Sequence, residues 1–187
     1  MIDYTIATSD NDLKGILSLQ VKNHIKSLSD TEAEFQGFVT VEHSYDLLKK
    51  LNDTERHIIA KENDKVVGYV LSMTKKARLD IPILYPMFQI FDQAVYNEKT
   101  ISDSNYIIVG QVCVDKDFRG QGIFDNCYNT YKKFHEDKYD FAITEIAEAN
   151  LRSLNAHKRV GFLELTSYKD ANNTKWIVVI WAWKNSR

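Results

Sequence analysis

Two glycines separated by one residue interrupt the chain between a run of β-forming residues and a run with helical spacing. The stretch is Val112-Cys113-Val114-Asp115-Lys116-Asp117-Phe118-Arg119-Gly120-Gln121-Gly122-Ile123-Phe124. It is the tightest local constraint in the sequence, because a strand must end and a helix begin within a turn that few residue types allow. Glycine enters left-handed backbone without the penalty of a Cβ. The first N–H groups of a helix have no acceptor within that helix. Such a turn can offer several donors to a pyrophosphate, with Arg119 nearby. Arg-Gly-x-Gly also occurs in plain loops, so the surrounding order of elements has to decide.

That order is readable. Ile2, Tyr4 and Ile6 alternate as in a strand, and Ser9-Asp10-Asn11 supplies capping side chains for a helix bearing Leu13, Ile16, Leu17 and Val21. Val41, Tyr45, Leu48 and Leu51 repeat the helical spacing after Thr40 as a cap. Residues 56–61 and 66–73 around Glu62-Asn63-Asp64 read as a hairpin. Residues 81–96 carry Leu84, Met87, Phe88, Phe91, Ala94 and Val95 on one helical face, with Pro82 and Pro86 near the start, where proline fits. Tyr106 to Val114 is a strand, and the helix after the glycines bears Ile123, Cys127, Tyr131 and Phe134. Tyr139 to Ile146 is a further strand, Asn150 caps a helix that stops at Gly161, and residues 163–168 and 175–183 close the chain as a hairpin around Asp170-Ala171-Asn172-Asn173.

The 187 residues suit one ordinary domain with an inserted helix or two. With 24 Lys and Arg against 26 Asp and Glu, the chain lacks the cationic excess of a protein that grips nucleic acid through its backbone. An aromatic content of 12% with 7 Gly and 2 Pro is that of a packed domain and excludes a disordered one. Cys113 and Cys127, the two cysteines, make neither a disulfide framework nor a zinc spacing, which indicates a reducing compartment. His24, His43, His57 and His135 show no ligand spacing, so no metal is expected. The N-terminus lacks the marks of a secretory signal and no apolar run approaches ~18 residues, which predicts a cytoplasmic protein with no membrane span.

The second informative stretch is Glu145-Ile146-Ala147-Glu148-Ala149-Asn150-Leu151-Arg152-Ser153-Leu154-Asn155-Ala156-His157-Lys158-Arg159-Val160-Gly161-Phe162. Paired with the glycine turn, it resembles the GNAT superfamily of acyl-CoA-dependent N-acyltransferases. That superfamily's first motif has the form Arg/Gln-x-x-Gly-x-Gly/Ala, and its second has Asn followed seven residues later by Tyr and then Gly-Phe. Arg119 and Gly122 match the first; Asn150, Gly161 and Phe162 match the second. The likeness covers residues 105–185, and the first half agrees only in its strand, two helices and hairpin. Phe124 stands where the family has a small residue, and His157 where it has Tyr.

The resemblance implies a single GNAT-like α/β (α+β) domain over residues 1–187. Its sheet would be mixed, mostly antiparallel and twisted, of about seven strands flanked by helices. A helical insert, residues 75–104, precedes the fourth strand, and the coenzyme-binding core spans 105–162. It implies transfer from acetyl-CoA to a primary amine of a small molecule, without an acyl-enzyme and by a monomer or homodimer, with no nucleic acid and no membrane as partner. Backbone groups of Val112, Cys113 and Val114 would hold the pantetheine and polarise the acetyl carbonyl, and Arg119, Gly120, Gln121, Gly122, Ile123, Phe124 and Asn150 would complete the coenzyme site. Glu145 would be the base, at the spacing of similar peptide-amine acetyltransferases, and His157 the acid or an acceptor-positioning group. Tyr85 and Phe88 of the insert would line the acceptor pocket, although the insert serves equally well as a dimer surface.

Each residue also has a plainer reading. Asn150 is a good helix cap whatever the function. A strand glutamate is commonly a solvated face residue or a partner of lysine, and a histidine beside Leu154 and Val160 suits the edge of a core. Cys113 is most simply a small buried apolar residue, and Trp176, Trp181 and Trp183 are strand packing. Two further functional readings stand beside the first: acetylation of a protein N-terminus or lysine, and a non-catalytic acyl-CoA-binding module.

Overall fold

A computed structural model describes residues 1–24 and 42–184. The strands of its main sheet are β1 (Ile2–Ile6), β2 (Ile58–Glu62), β3 (Lys65–Met73), β6 (Tyr106–Val114), β7 (Phe141–Ala147), β8 (Leu163–Lys169) and β9 (Lys175–Ala182). They form a seven-stranded sheet in the order β1-β2-β3-β6-β7-β9-β8. β6 and β7 are parallel, while β1 with β2, β2 with β3, β7 with β9 and β8 with β9 are antiparallel. The mixed, mostly antiparallel α/β fold expected from the sequence is the one observed. Backbone contacts group the chain into two compact units, Met1–Met73 with Val109–Lys133, and Thr74–Ile108 with Phe134–Arg187.

In the first unit, α1 (Asp10–Asn23) begins where the sequence predicts. Ser9 Oγ accepts from Asp12 N at 3.1 Å, and Asp12 Oδ2 accepts from Ser9 N at 3.0 Å, a reciprocal capping box. Its buried face is Leu13, Ile16, Leu19, Gln20 and Asn23; Val21, expected on that face, is 61% exposed because the stripe advances through residues 16, 19 and 20. Thr40 and Val41 lie outside the described residues, and α2 (Tyr45–Thr54) is capped by Ser44, whose Oγ accepts from Leu47 N at 3.2 Å. Both helices supply the core that packs on the sheet, with Leu13, Ile16, Leu48, Ile59, Tyr69 and Leu71 all buried. Each such aliphatic side chain contributes about 1.5–3 kcal/mol by leaving water. The predicted β2–β3 hairpin forms, with Asn63 at φ 53° in its turn. His57 is fully enclosed there. Its Nδ1 accepts from Ser72 N at 3.0 Å and its Nε2 faces the Leu48 carbonyl at 3.2 Å, so the ring is a neutral structural bridge.

Helix α4 (Ile123–His135) leads from β6 towards the parallel strand β7, the kind of crossover that a parallel pair requires. Ile123, Cys127, Tyr131 and His135 are buried at an i, i+4 repeat, with Tyr128 beside them. Phe134, assigned to that face from the sequence, is 44% exposed because the fourth position of the repeat falls on His135.

The second unit contains the start of β6, strands β7, β9 and β8, helix α5 (Leu151–Val160) and the insert. The insert is less helical than expected. After 3-10 turns at Lys75–Leu79 and Pro82–Leu84, α3 covers only Tyr85–Gln93. A short hairpin follows, β4 (Val95–Tyr96) with β5 (Lys99–Thr100). Asn97 and Glu98 both have positive φ, 50° and 66°, as a two-residue turn joining right-twisted strands demands. The apolar face of α3 points inward. Phe91 meets Tyr106 edge-on at 6.5 Å, and Tyr106 stacks on Phe141 at 5.8 Å. A bidentate pair from Arg78 to Asp92, at 2.8 and 3.0 Å, closes the insert on itself.

Candidate active site

The glycine turn belongs to the first unit and is built as the sequence suggests. Asp115 leaves β6 by donating its N–H to the Val67 carbonyl at 2.8 Å, then accepts from Phe118 N at 2.9 Å and, through Oδ1, from Asp117 N at 3.2 Å. Lys65 Nζ lies 3.3 Å from Asp115 Oδ2 and 5.1 Å above the Phe118 ring. Gly120 and Gly122 both sit at φ 76°. A Cβ on Gly120 would meet nothing within 4 Å, and one on Gly122 only Asn126 Nδ2 at 3.6 Å. The turn therefore requires glycine for its backbone conformation, not for space. Gln121 is exposed, Ile123 is buried, and the Phe124 ring packs along the helix on Tyr128 at 4.9 Å.

Arg119 does more than stand beside the turn. Its Nε donates to the Val114 carbonyl at 3.1 Å and its Nη2 to Asn23 Oδ1 at 2.9 Å. Cys113 lies in the core, and burial pushes its thiol up to about 12, so no thiolate is available there at neutral pH. Beside it is a buried polar cluster. Tyr69 Oη and Gln20 Nε2 both donate to Gln111 Oε1 at 2.6 Å, and Gln20 Nε2 lies 2.9 Å from His43 Nδ1. Burial lowers His43 to about 4, which keeps it neutral.

Glu145, Asn150 and His157 all belong to the second unit. Asn150 caps α5, its Oδ1 accepting from Ser153 N at 3.2 Å, and the helix ends at Gly161 with φ 120°. His157 is buried against Phe162, ring centroids 5.1 Å apart, and its Nδ1 donates to the Ser153 carbonyl at 2.8 Å. Burial lowers its pKa to about 4, with the Ser153 carbonyl opposing, so the ring is neutral with its proton on Nδ1. Phe162 continues the aromatic packing to Trp181 at 5.4 Å, and Trp181 to Trp183 at 5.6 Å.

Glu145 is half-buried on β7, opposite Val178 of β9. Desolvation raises its pKa to about 7; the hydroxyl of Tyr168 opposes that rise and the charge of Asp170 adds to it. Tyr168 Oη donates to Glu145 Oε2 at 2.6 Å. Asp170 is held as an anion by Trp176 Nε1 at 3.0 Å and by the N–H groups of Asn172 and Thr174, both 2.9 Å from Oδ1. A carboxyl group that ionises near neutrality can accept a proton from an ammonium and release it again.

Of the insert residues assigned to the acceptor, Tyr85 is 54% exposed, whereas Phe88 is 0% exposed and lies under Arg78, 5.0 Å from its ring centroid. From the sequence, Asn23, Asp115 and Tyr168 have no functional part, and Asp170 is only a turn residue. Asp115-x-Asp117 does carry a local signal, since an aspartate that accepts from the N–H two residues on marks a turn. Among the described residues no group of three or more His, Cys, Asp or Glu side chains is placed to hold a metal ion, and no helix is long and apolar enough to cross a membrane.

The strand, glycine turn and helix lie in one unit, and the Asn-capped helix ending in Gly-Phe lies in the other. The sequence profile of the Acetyltransferase (GNAT) family matches residues 22–162, and the chain belongs to that family. No curated protein matches it by sequence. Among solved structures it is similar to the ribosomal-protein-S18-alanine N-acetyltransferase from Escherichia coli, at 12% identity and TM-score 0.64, with 100% of this chain and 97% of that one covered. It is also similar to the NatC complex bound to Gag peptide and CoA, at 14% identity and TM-score 0.66, covering 98% and 99%. A GNAT family acetyltransferase from Elizabethkingia anophelis with acetyl-CoA bound is 12% identical, with TM-score 0.60 and coverage of 97% and 98%. At such identities the likeness is one of fold.

Proposed function

We propose that the protein transfers an acetyl group from acetyl-CoA directly to a primary amine of a small molecule, in the cytoplasm, with Glu145 as general base. Family membership supports the reaction class. The observation that carries the role of Glu145 is its setting: one carboxylate oxygen held by Tyr168 at 2.6 Å, no ion pair among the described residues, and a pKa raised by desolvation to about 7. Acetyl-CoA would supply the thioester carbon that the amine attacks. The amine proton passes to Glu145, and the departing sulfur must then regain a proton. A buried neutral His157 with its Nδ1 proton committed to Ser153 suits positioning better than proton donation.

The left-handed turn at Gly120 and Gly122, running into the first amides of α4, fits a pyrophosphate, since every helix N-terminus presents donors and a partial positive charge. Val112, Cys113 and Val114 on the strand before it would hold the pantetheine arm, and Asn150, the cap of α5, is a further proposed coenzyme contact. Arg119, Gln121, Ile123 and Phe124 complete the turn. Tyr85 is the insert residue proposed to meet the acceptor, and Phe88 would act by holding α3 in place.

A second reading, acetylation of a peptide amine, draws on the fold's likeness to the S18-alanine enzyme and to the peptide-bound NatC complex. A panel of small primary amines, N-terminal peptides and lysine peptides, assayed for thiol release from acetyl-CoA, separates the readings. The highest kcat/KM is expected with a small amine. Turnover of peptides alone would establish the second reading, and saturable acetyl-CoA binding without any turnover would leave a binding module.

A further inference from the structure

Glu145 and Tyr168 lie on strands that are not neighbours: β9 runs between them. Glu145 opposes Val178, which opposes Thr166; two residues along, Ala147 opposes Trp176, which opposes Tyr168. Side chains two apart share a face of a sheet, so Tyr168 reaches Glu145 diagonally over one strand on a common face. The hairpin turn sets this pairing: Lys169 opposes Lys175, Tyr168 opposes Trp176 and Thr166 opposes Val178 in regular register, and the β8–β9 register shifts only beyond Thr166, towards Glu164.

We infer that Tyr168 is a positioning residue for Glu145: it clamps Oε2, leaves Oε1 to take the proton, and with Asp170 makes the β8–β9 hairpin the element that sets the working pH of the site. This rests on Glu145 being the base. The two hairpin groups act in opposite directions. The phenol hydrogen bond favours the carboxylate form, and the fixed charge of Asp170 disfavours it. Lys175 is paired with Glu148 at 2.7 Å, and Val178 and Trp176, the neighbours of Glu145 on β9, carry no charge.

The test is a pair of variants expected to shift the same group in opposite directions. In the full chain labelled with carboxyl-13C glutamate, the Glu145 resonance is the one missing from Glu145→Gln, and its titration is followed directly. Tyr168→Phe should move its midpoint upward by about half a pH unit or more, and Asp170→Asn should move it downward. Tyr168, on an edge strand, and Asp170, in the turn that follows it, are both half-buried, so both variants should fold; retained thermal unfolding transitions check this. Tyr168→Phe should also move the acid limb of the kcat profile to higher pH with the midpoint, leave the acetyl-CoA KM unchanged, and cost nothing further in the Glu145→Gln background. A midpoint unmoved in Tyr168→Phe would overturn the inference, as would two variants that shift it the same way. Opposed midpoint shifts in a protein that acetylates no amine would uphold the hairpin's control of Glu145 while overturning the catalytic reading on which it was placed.

Discussion

Arg119 is tied to Asn23: its Nη2 donates to Asn23 Oδ1 at 2.9 Å while its Nε holds the Val114 carbonyl at 3.1 Å. The side chain expected beside a pyrophosphate thus links the glycine turn to the last turn of α1 and to the end of β6. A charge reversal at 119 would break these bonds as well as repel phosphate.

Arg119→Ala should therefore lower stability by about 1.5–3 kcal/mol, the range for hydrogen bonds to a charged group, and should weaken acetyl-CoA binding at the same time. Denaturant unfolding and calorimetry measure the two effects. Lost binding with unchanged stability would make Arg119 a ligand contact alone.

The two glycine positions separate backbone strain from steric conflict. Gly122→Ala meets open space, with Asn126 Nδ2 nearest at 3.6 Å, and should cost about 1–2 kcal/mol for the left-handed backbone alone. Gly161→Ala has the same kind of strain, at φ 120°, and would also bring its Cβ to 2.9 Å from Trp181 Nε1. Denaturant unfolding should find Gly161→Ala the more damaging of the two.

Two buried histidines and the half-buried Glu145 determine an expected acid response. His43 and His157 fall from 6.5 to about 4 in the fold, so each contributes stability that is complete above pH 6.5 and is lost as the pH falls toward 4. Glu145 has the opposite sign: raised from 4.5 to about 7, it favours the fold at low pH and loses that contribution as the pH rises through this window. Between pH 4.5 and 6.5 the two histidines outweigh the one glutamate, so stability should rise with pH by about one proton's worth, ~1.4 kcal/mol per pH unit at most. Glu145→Gln should steepen this slope and His157→Gln should flatten it, as read from thermal midpoints across the range.

Much of the architecture was legible because its signals are local. Ser9 before α1, Asn63 in the β2–β3 turn, and Asn150 and Gly161 at the two ends of α5 act through their own backbone neighbours, and they stand where the sequence placed them. The glycine turn was legible for the same reason. Errors arose where packing decides. Val21 and Phe134 are apolar and near the correct helical phase, yet the core selects Leu19 and His135. The β4–β5 turn escaped because Asn97-Glu98 lacks the glycine that usually announces positive φ.

Tyr168 could not be read from the sequence at all. Its partner is 23 positions away across an intervening strand. Glu145 was singled out by its spacing within a motif, and its raised proton affinity follows from burial that no spacing reveals. Phe88 shows the opposite limit: an aromatic in an insert suggested a pocket wall, and the ring lies beneath Arg78 in the interior.

Steady-state acetyl transfer by wild type and Glu145→Gln, with the best amine at pH 8 and saturating acetyl-CoA, tests the central claim most directly. Loss of a general base should lower kcat by roughly 10²-fold or more and leave the acetyl-CoA KM unchanged. An unchanged kcat would contradict the account and remove Glu145 from the chemistry.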